Sequence, residues 1–230
     1  MTTKLFSITI FVLLALFFVS CDTKPPIDDP VIEDIVQGDF ENWITISQGE
    51  ISFHKPAGDW WDGLNYLAVI GVPITLERTT DSYNGNYALR IETKLWGDEL
   101  SIPGIIASGY FDPNLPIGEN LVIGKPFSKR PTAFQGYYKY SPANNDTLVI
   151  FIALTKYNSA QNLRDTIGRG EFVSSEVQNT YKNFNVPIVY NSENTPDSIH
   201  IILLASVSGK DFKGHPGSVL IVDKLSLRYD

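Results

Sequence analysis

From Glu33 to the end, the sequence is a succession of short apolar runs, each broken within a few residues by glycine, proline or asparagine. Helical periodicity is weak throughout, so the chain must bury its apolar side chains as strands. Tyr87, Leu89 and Ile91 alternate with Ala88, Arg90 and Glu92, and they follow Asn84-Gly85-Asn86, a turn able to supply positive φ. Gly136, Tyr138 and Tyr140 alternate with Gln135, Tyr137 and Lys139 in the same way. The runs Leu148 to Leu154 and Ile199 to Val207 are nearly continuous in apolar residues, which predicts central strands covered on both faces. Ser174-Ser175-Glu176-Val177 reads as a turn before a strand from Lys182 to Val189, and Val219 to Tyr229 as a paired strand that closes the domain. The pattern predicts an all-β fold: an antiparallel β-sandwich of jelly-roll type over residues 37–230.

The first residues follow a different rule. Lys4 precedes an apolar run from Leu5 to Val19 that is too short to span a bilayer, which takes about 20 apolar residues. It reads as a secretory signal peptide over residues 1–20. The run ends in Phe18-Val19-Ser20-Cys21, which resembles the lipobox of lipoprotein precursors. Cys21 is the only cysteine, so it has no partner for an internal disulfide, and lipidation gives it a role. Residues 21–36 open with Pro25, Pro26 and Pro30 among charged residues and are expected to form a flexible tether. The mature protein is thus expected outside the cytoplasm, held to the lipid bilayer of the cell envelope, and the outer membrane is the expected site.

Formal charge is −8 for the chain and −9 once Lys4 is removed, which argues against nucleic acid as a partner. No serine elbow, phosphate loop or histidine-rich metal motif is present. His54, His200 and His215 are scattered, and His200 reads as a satisfied core or groove residue. Asp59 with Asp62, or Glu92 with Asp98, could be named as carboxylate pairs, yet solvated loop charges explain them equally well.

Gly38-Asp39-Phe40-Glu41-Asn42-Trp43 resembles the first strand of jelly-roll carbohydrate-binding modules. Asp81 to Ile91 resembles their glycine turn and alternating strand, and Val222 to Leu227 their closing strand. Trp60-Trp61-Asp62-Gly63-Leu64-Asn65, Gly124-Lys125-Pro126-Phe127 with Arg130-Pro131, and Phe134 to Tyr140 resemble more narrowly the putative carbohydrate metabolism domain of Bacteroidota lipoproteins, over residues 37–229. The resemblance implies a glycan partner and a role in polysaccharide capture or use at the envelope. A glycoside hydrolase-like enzyme, and an adhesin or structural subunit with envelope protein partners, stay open as alternatives.

Sugars stack their C–H faces on aromatic rings while polar groups read their hydroxyls. Trp60, Trp61 and Trp96 are the candidate rings, and Asp62 and Asn65 the candidate polar contacts. Adjacent Trp60 and Trp61 point opposite ways in an extended chain, so at most one is core; both closing one end of the sandwich is the competing reading. Tyr110, Tyr137 and Lys139 complete the candidate set. Asp223 shares parity with Val219, Ile221, Leu225 and Leu227, which places a carboxylate on an apolar face. In the resembling modules the closing aspartate and the opening glutamate, here Glu41, help bind a structural calcium beside the turn at Asn84. Backbone hydrogen bonds to Asp223, a basic partner, or a bulge that rotates it outward are the alternatives.

Overall fold

The computed structural model describes residues 29–230, apart from the side chains of residues 210 and 211. The expected signal peptide, Cys21 and the first half of the expected tether, to residue 28, lie outside the described residues. The chain opens with β1 (Val31–Asp34), the hairpin β2 (Trp43–Gln48) and β3 (Ile51–Pro56), β4 (Trp61–Gly63) and a 3-10 turn over Asn65–Ile70. There follow β5 (Leu76–Thr79), β6 (Ala88–Glu92), a small hairpin of β7 (Lys94–Trp96) and β8 (Leu100–Ile102), and β9 (Ile105–Phe111). Two short strands, β10 (Leu121–Ile123) and β11 (Lys125–Pro126), lead to the long ones: β12 (Ala133–Ser141), β13 (Leu148–Asn158), β14 (Leu163–Ser174) and β15 (Gln178–Pro187). The chain ends with β16 (Val189–Tyr190), β17 (Ser198–Leu204), a 3-10 turn over Val207–Asp211, and β18 (Val219–Tyr229).

Two antiparallel sheets form a sandwich of jelly-roll type. The smaller runs β15-β12-β18-β6-β5, with β1 also on β18; the larger runs β10-β9-β17-β13-β14-β16, with β11 on β17 and β4 on β9. Period-two patterning sets their inner faces. Leu148, Ile150, Ile152 and Leu154 of β13 and Ile199, Ile201 and Leu203 of β17 meet Phe134, Tyr138, Leu220 and Val222 from the opposing sheet in one core.

Four expectations change. Gly38 and Asp39 end a turn and Phe40 to Asn42 are irregular, so this segment is not an opening strand. The first strand lies earlier, at Val31–Asp34, inside the stretch expected to be tether, and pairs with Tyr229–Ser226. Its apolar residues find a strand partner only at the far end of the chain, which local composition cannot show. The run from Ile199 leaves the sheet at Leu204, and Val207 starts a 3-10 turn. Finally, Asp223 does not share the face of Leu225 and Leu227. Lys224 takes a positive φ of 53° and the β12–β18 register shifts between Gln135 and Tyr137. This bulge exchanges the faces: Leu220 and Val222 point inward before it, Leu225 and Leu227 after it.

Candidate functional site

The expected sugar contacts do not converge. Trp61 is sealed in the main core, where its indole N–H donates to the Val36 carbonyl at 3.0 Å. Asp62 is buried beneath it and pairs with Lys55 at 2.7 Å. Asn65 is buried too, its amide tying Thr75 N (3.0 Å) and Leu76 O (2.7 Å) to the 3-10 turn. Trp61 and Asp62 are structural because β4 pairs with β9 on the edge of the larger sheet with all three of its residues buried, and Asn65 because it fastens the 3-10 turn that follows. Trp60 is half-buried beside Phe127 and Tyr229 in a cavity of about 330 Å³, and Trp96 packs on a separate cluster of Leu64, Leu67, Val72 and Ile102. Tyr110 is exposed, with the Lys125 ammonium 6.0 Å from its ring centroid. Tyr137 lies on the other sheet, covered by Tyr83 at a ring separation of 3.6 Å, and Lys139 beside it is paired with Asp81 at 2.5 Å.

Nor do the residues expected to hold calcium fit a cation. Asp223, fully buried, accepts N–H bonds from Tyr83 (2.8 Å), Asn84 (3.0 Å) and Lys224 (2.7 Å). Glu41 accepts from the backbone of Asn86 (2.9 Å) and Tyr87 (3.0 Å). These N–H bonds take up three of the roughly four lone-pair sites on Asp223 that a metal would use. Asn84 turns its N–H toward Asp223, and among the described residues no three His, Cys, Asp or Glu side chains are placed to share a metal. Burial pushes the Asp223 carboxyl above the ordinary carboxylate value, against the pull of its N–H donors. For Glu41 the N–H donors of Tyr87 and Asn86 outweigh desolvation and hold it below that value.

The residues that do converge lie on the outer face of the larger sheet. With the even positions of β13 in the core, Val149, Phe151, Ala153 and Thr155 take the outer face, where Phe151 is partly exposed and the other three are covered by their neighbours. Phe151 lies between Ile202 on β17 and Glu171 on β14; Val149 is opposite Leu204, and Ala153 lies between His200 and Arg169. Two cavities of about 370 and 560 Å³ share Phe151 and Glu171 and together form a trough across these strands. One end is apolar, walled by Ile105, Leu121, Ile123 and Phe212. Toward the other stand Arg169 and Glu171, both exposed and without an ion-pair partner among the described residues.

A polar ledge borders the trough. His200 Nε2 lies 3.0 Å from Thr155 Oγ1, which also accepts from Arg164 at 3.3 Å; Arg164 pairs with Asp197 at 2.5 Å. Burial, reinforced by the Arg164 charge, holds His200 below its ordinary value of 6.5. The N–H of Tyr157 and then Arg164 hold Asp197 below the usual carboxylate value. Gly124, at φ 129°, lets the chain pass this histidine, since a Cβ there would stand 2.8 Å from the ring. The site therefore offers an aromatic face, an aliphatic floor and, with no ion-pair partner among the described residues, the Arg169 cation and the Glu171 carboxylate, which suits a ligand with apolar faces and a polar rim. Phe151, Arg169 and Glu171 were missed because the run from Leu148 reads as covered on both sides; only its odd positions, followed across to β14, reveal an open face.

The sequence profile of the putative carbohydrate metabolism domain matches residues 73–228. The chain belongs to this family. The matched segment is narrower than the 37–229 expected, starting just before β5, and it contains every strand of the trough. Two solved structures share the fold of this carbohydrate metabolism domain. One, a putative glycoside hydrolase from Bacteroides thetaiotaomicron, is 20% identical with a TM-score of 0.65, over 86% of this chain and 70% of that one. The other, a putative glycoside hydrolase from Bacteroides vulgatus, is 18% identical with a TM-score of 0.68, over 86% of this chain and 97% of that one. A xylan-binding module from Paenibacillus barcinonensis matches at 10% identity and a TM-score of 0.37, over 86% of this chain and 92% of that one. No curated protein matches the chain.

Proposed function

We propose that the protein is a non-catalytic, glycan-binding lipoprotein that captures polysaccharide at the cell envelope, with the trough over β13, β14 and β17 as its binding surface. The observation that carries this reading is Phe151, an aromatic face shared by both cavities with the unpaired Arg169 and Glu171 on neighbouring rungs. A pyranose laid on Phe151 would direct its ring hydroxyls toward these two side chains. Family membership supports a carbohydrate role. The signal peptide, the Cys21 lipid anchor and the outer-membrane site are part of the proposal and rest on residues 1–28 of the sequence.

Two of the similar structures are named as putative glycoside hydrolases, so cleavage is the reading to set against binding. Hydrolysis needs two carboxyl groups about 5 to 9.5 Å apart across the scissile bond. Glu171 is the single carboxylate among the described residues lining the two cavities. This favours binding without turnover.

The test is affinity electrophoresis against a panel of soluble polysaccharides, with reducing ends assayed in parallel. At least one polymer should retard the wild type, and none should gain reducing ends. Phe151→Ala should weaken that retardation about tenfold, the loss of one stacking face. Because Phe151 is partly buried, the exposed pair Arg169→Ala with Glu171→Gln serves as a second variant and should weaken it as well. A wild type retarded by no polymer, or variants retarded as strongly as the wild type, would overturn the trough assignment; released reducing ends would replace binding by hydrolysis.

A further inference from the structure

A second cavity lies at one end of the sandwich, between the 3-10 turn Asn65–Ile70 and the loop of residues 112–120, and encloses about 330 Å³. Its aromatic wall is Tyr66 stacked on Phe111, with ring centroids 5.0 Å apart and planes 15° apart. Phe53 meets Tyr66 edge-on at 5.1 Å and fixes that ring. The loop opposite is held by its own backbone: Asp112 N donates to Asn120 O at 2.7 Å and Glu119 N to Pro116 O at 2.9 Å. The cavity is therefore preformed.

Two features call for a ligand. Val69, Ile70, Leu115 and Ile117 surround the opening, each between 38% and 60% exposed. Scattered exposed aliphatics are ordinary, but four around one hollow make an apolar rim. Asn120 also lines the hollow; it is 2% exposed and its side-chain oxygen has no hydrogen-bond partner. A buried acceptor left unbonded is unfavourable, and a donor brought by a ligand would relieve it.

We propose that this cavity is a second carbohydrate subsite, specific for a sugar residue that carries an acylamino group. The choice of a sugar rests on the glycan reading above; the acylamino group follows from the cavity itself. An acetamido group sets an N–H donor beside a methyl group. The N–H answers the Asn120 oxygen, and the methyl group answers the aliphatic rim and the Tyr66–Phe111 wall. A plain hexose supplies hydroxyl donors but nothing for the rim. Gln48, at the edge of the hollow, is placed to meet the outer hydroxyls.

Saturation-transfer NMR and calorimetry on the protein, with N-acetylglucosamine and glucose as probes, test this. N-acetylglucosamine should bind at least tenfold tighter than glucose, with strong saturation of its acetyl methyl. Ile70→Ser with Ile117→Ser, both at exposed positions, should weaken it at least fivefold, and Asn120→Leu should do the same. Equal binding of the two sugars, an unsaturated methyl, or a rim variant that binds as the wild type does would overturn the assignment. Polysaccharide retardation without any response to N-acetylglucosamine removes this subsite and leaves the trough; the converse removes the trough and leaves the subsite.

Discussion

Trp60 and Trp61 show how much of a single residue's role lies outside its own sequence neighbourhood. Alternation predicts that their side chains diverge; Trp61 is fully buried in the main core and Trp60 packs against that core only partly buried, and which one enters depends on β4 pairing with β9 more than forty residues away. Trp61→Ala should therefore cost about 3–5 kcal/mol, as expected for a fully buried aromatic, while Trp60→Ala should cost about 1 kcal/mol. Urea melts of the two variants measure the difference, and similar midpoints would contradict the burial described here. His200 illustrates the same dependence in its ionisation. Burial and Arg164 set its folded-state affinity for protons below the ordinary value of 6.5, so between these two values the unfolded chain binds more protons than the folded one. The contribution of neutral His200 to stability is complete above pH 6.5 and is lost as pH falls through the lower, folded value. Melting temperature should decline from pH 7.5 to 5, and His200→Gln, which keeps an acceptor or donor for Thr155, should flatten that decline. An identical slope in the variant would assign the acid sensitivity to other groups.

At the level of elements, strands whose apolar faces are set by alternation are readable, and those shaped by a distant partner are not. The closing strand is legible at Val219–Tyr229, as found, and Asp223 on its apolar parity raises a bulge as one alternative; its place at Lys224 is not legible, because lysine does not signal positive φ. β14 was missed altogether, since most of its residues are exposed and only Ile167 and Gly168 are buried. The turn from Tyr83 to Tyr87 was readable as a turn, but not as a clasp gripped at both ends by Asp223 and Glu41. Gly85 makes that grip possible. It has a φ of 76°, and a Cβ there would stand 2.3 Å from Glu41 Oε1. Gly85→Ala should destabilise the domain by about 1–3 kcal/mol, because it adds backbone strain and displaces the carboxylate that accepts from the Asn86 and Tyr87 N–H groups. With N–H donors taking up both carboxylates of this clasp, chelator should leave the wild-type melting temperature unchanged; a fall of several degrees would restore a metal to the turn.

Across the whole molecule, the sandwich class follows from strand patterning, whereas the trough requires knowing that β17, β13 and β14 lie side by side. That adjacency joins segments far apart in sequence, and no local pattern encodes it. The same arrangement relates the trough to the proposed anchor. β1, where the described chain begins, belongs to the smaller sheet, while the trough lies on the outer face of the larger one. A chain entering through β1 therefore leaves the trough opening away from the sheet that carries the tether. At about 3 Å per residue, a tether running from Cys21 to Pro30 would let neighbouring lipoproteins turn their troughs toward one polymer strand. Many copies on one surface would then bind a long polysaccharide through linked events, each raising the effective concentration for the next. Vesicles bearing the lipidated protein should hold such a polymer about a hundredfold more tightly than the free domain, whereas a short oligosaccharide of the same repeat should bind both equally. Equal retention of the long polymer by vesicle-bound and free protein would show that the anchor does not serve capture. A gain seen with the short oligosaccharide too would mean that the membrane changes the trough itself, and linked binding would no longer be the explanation.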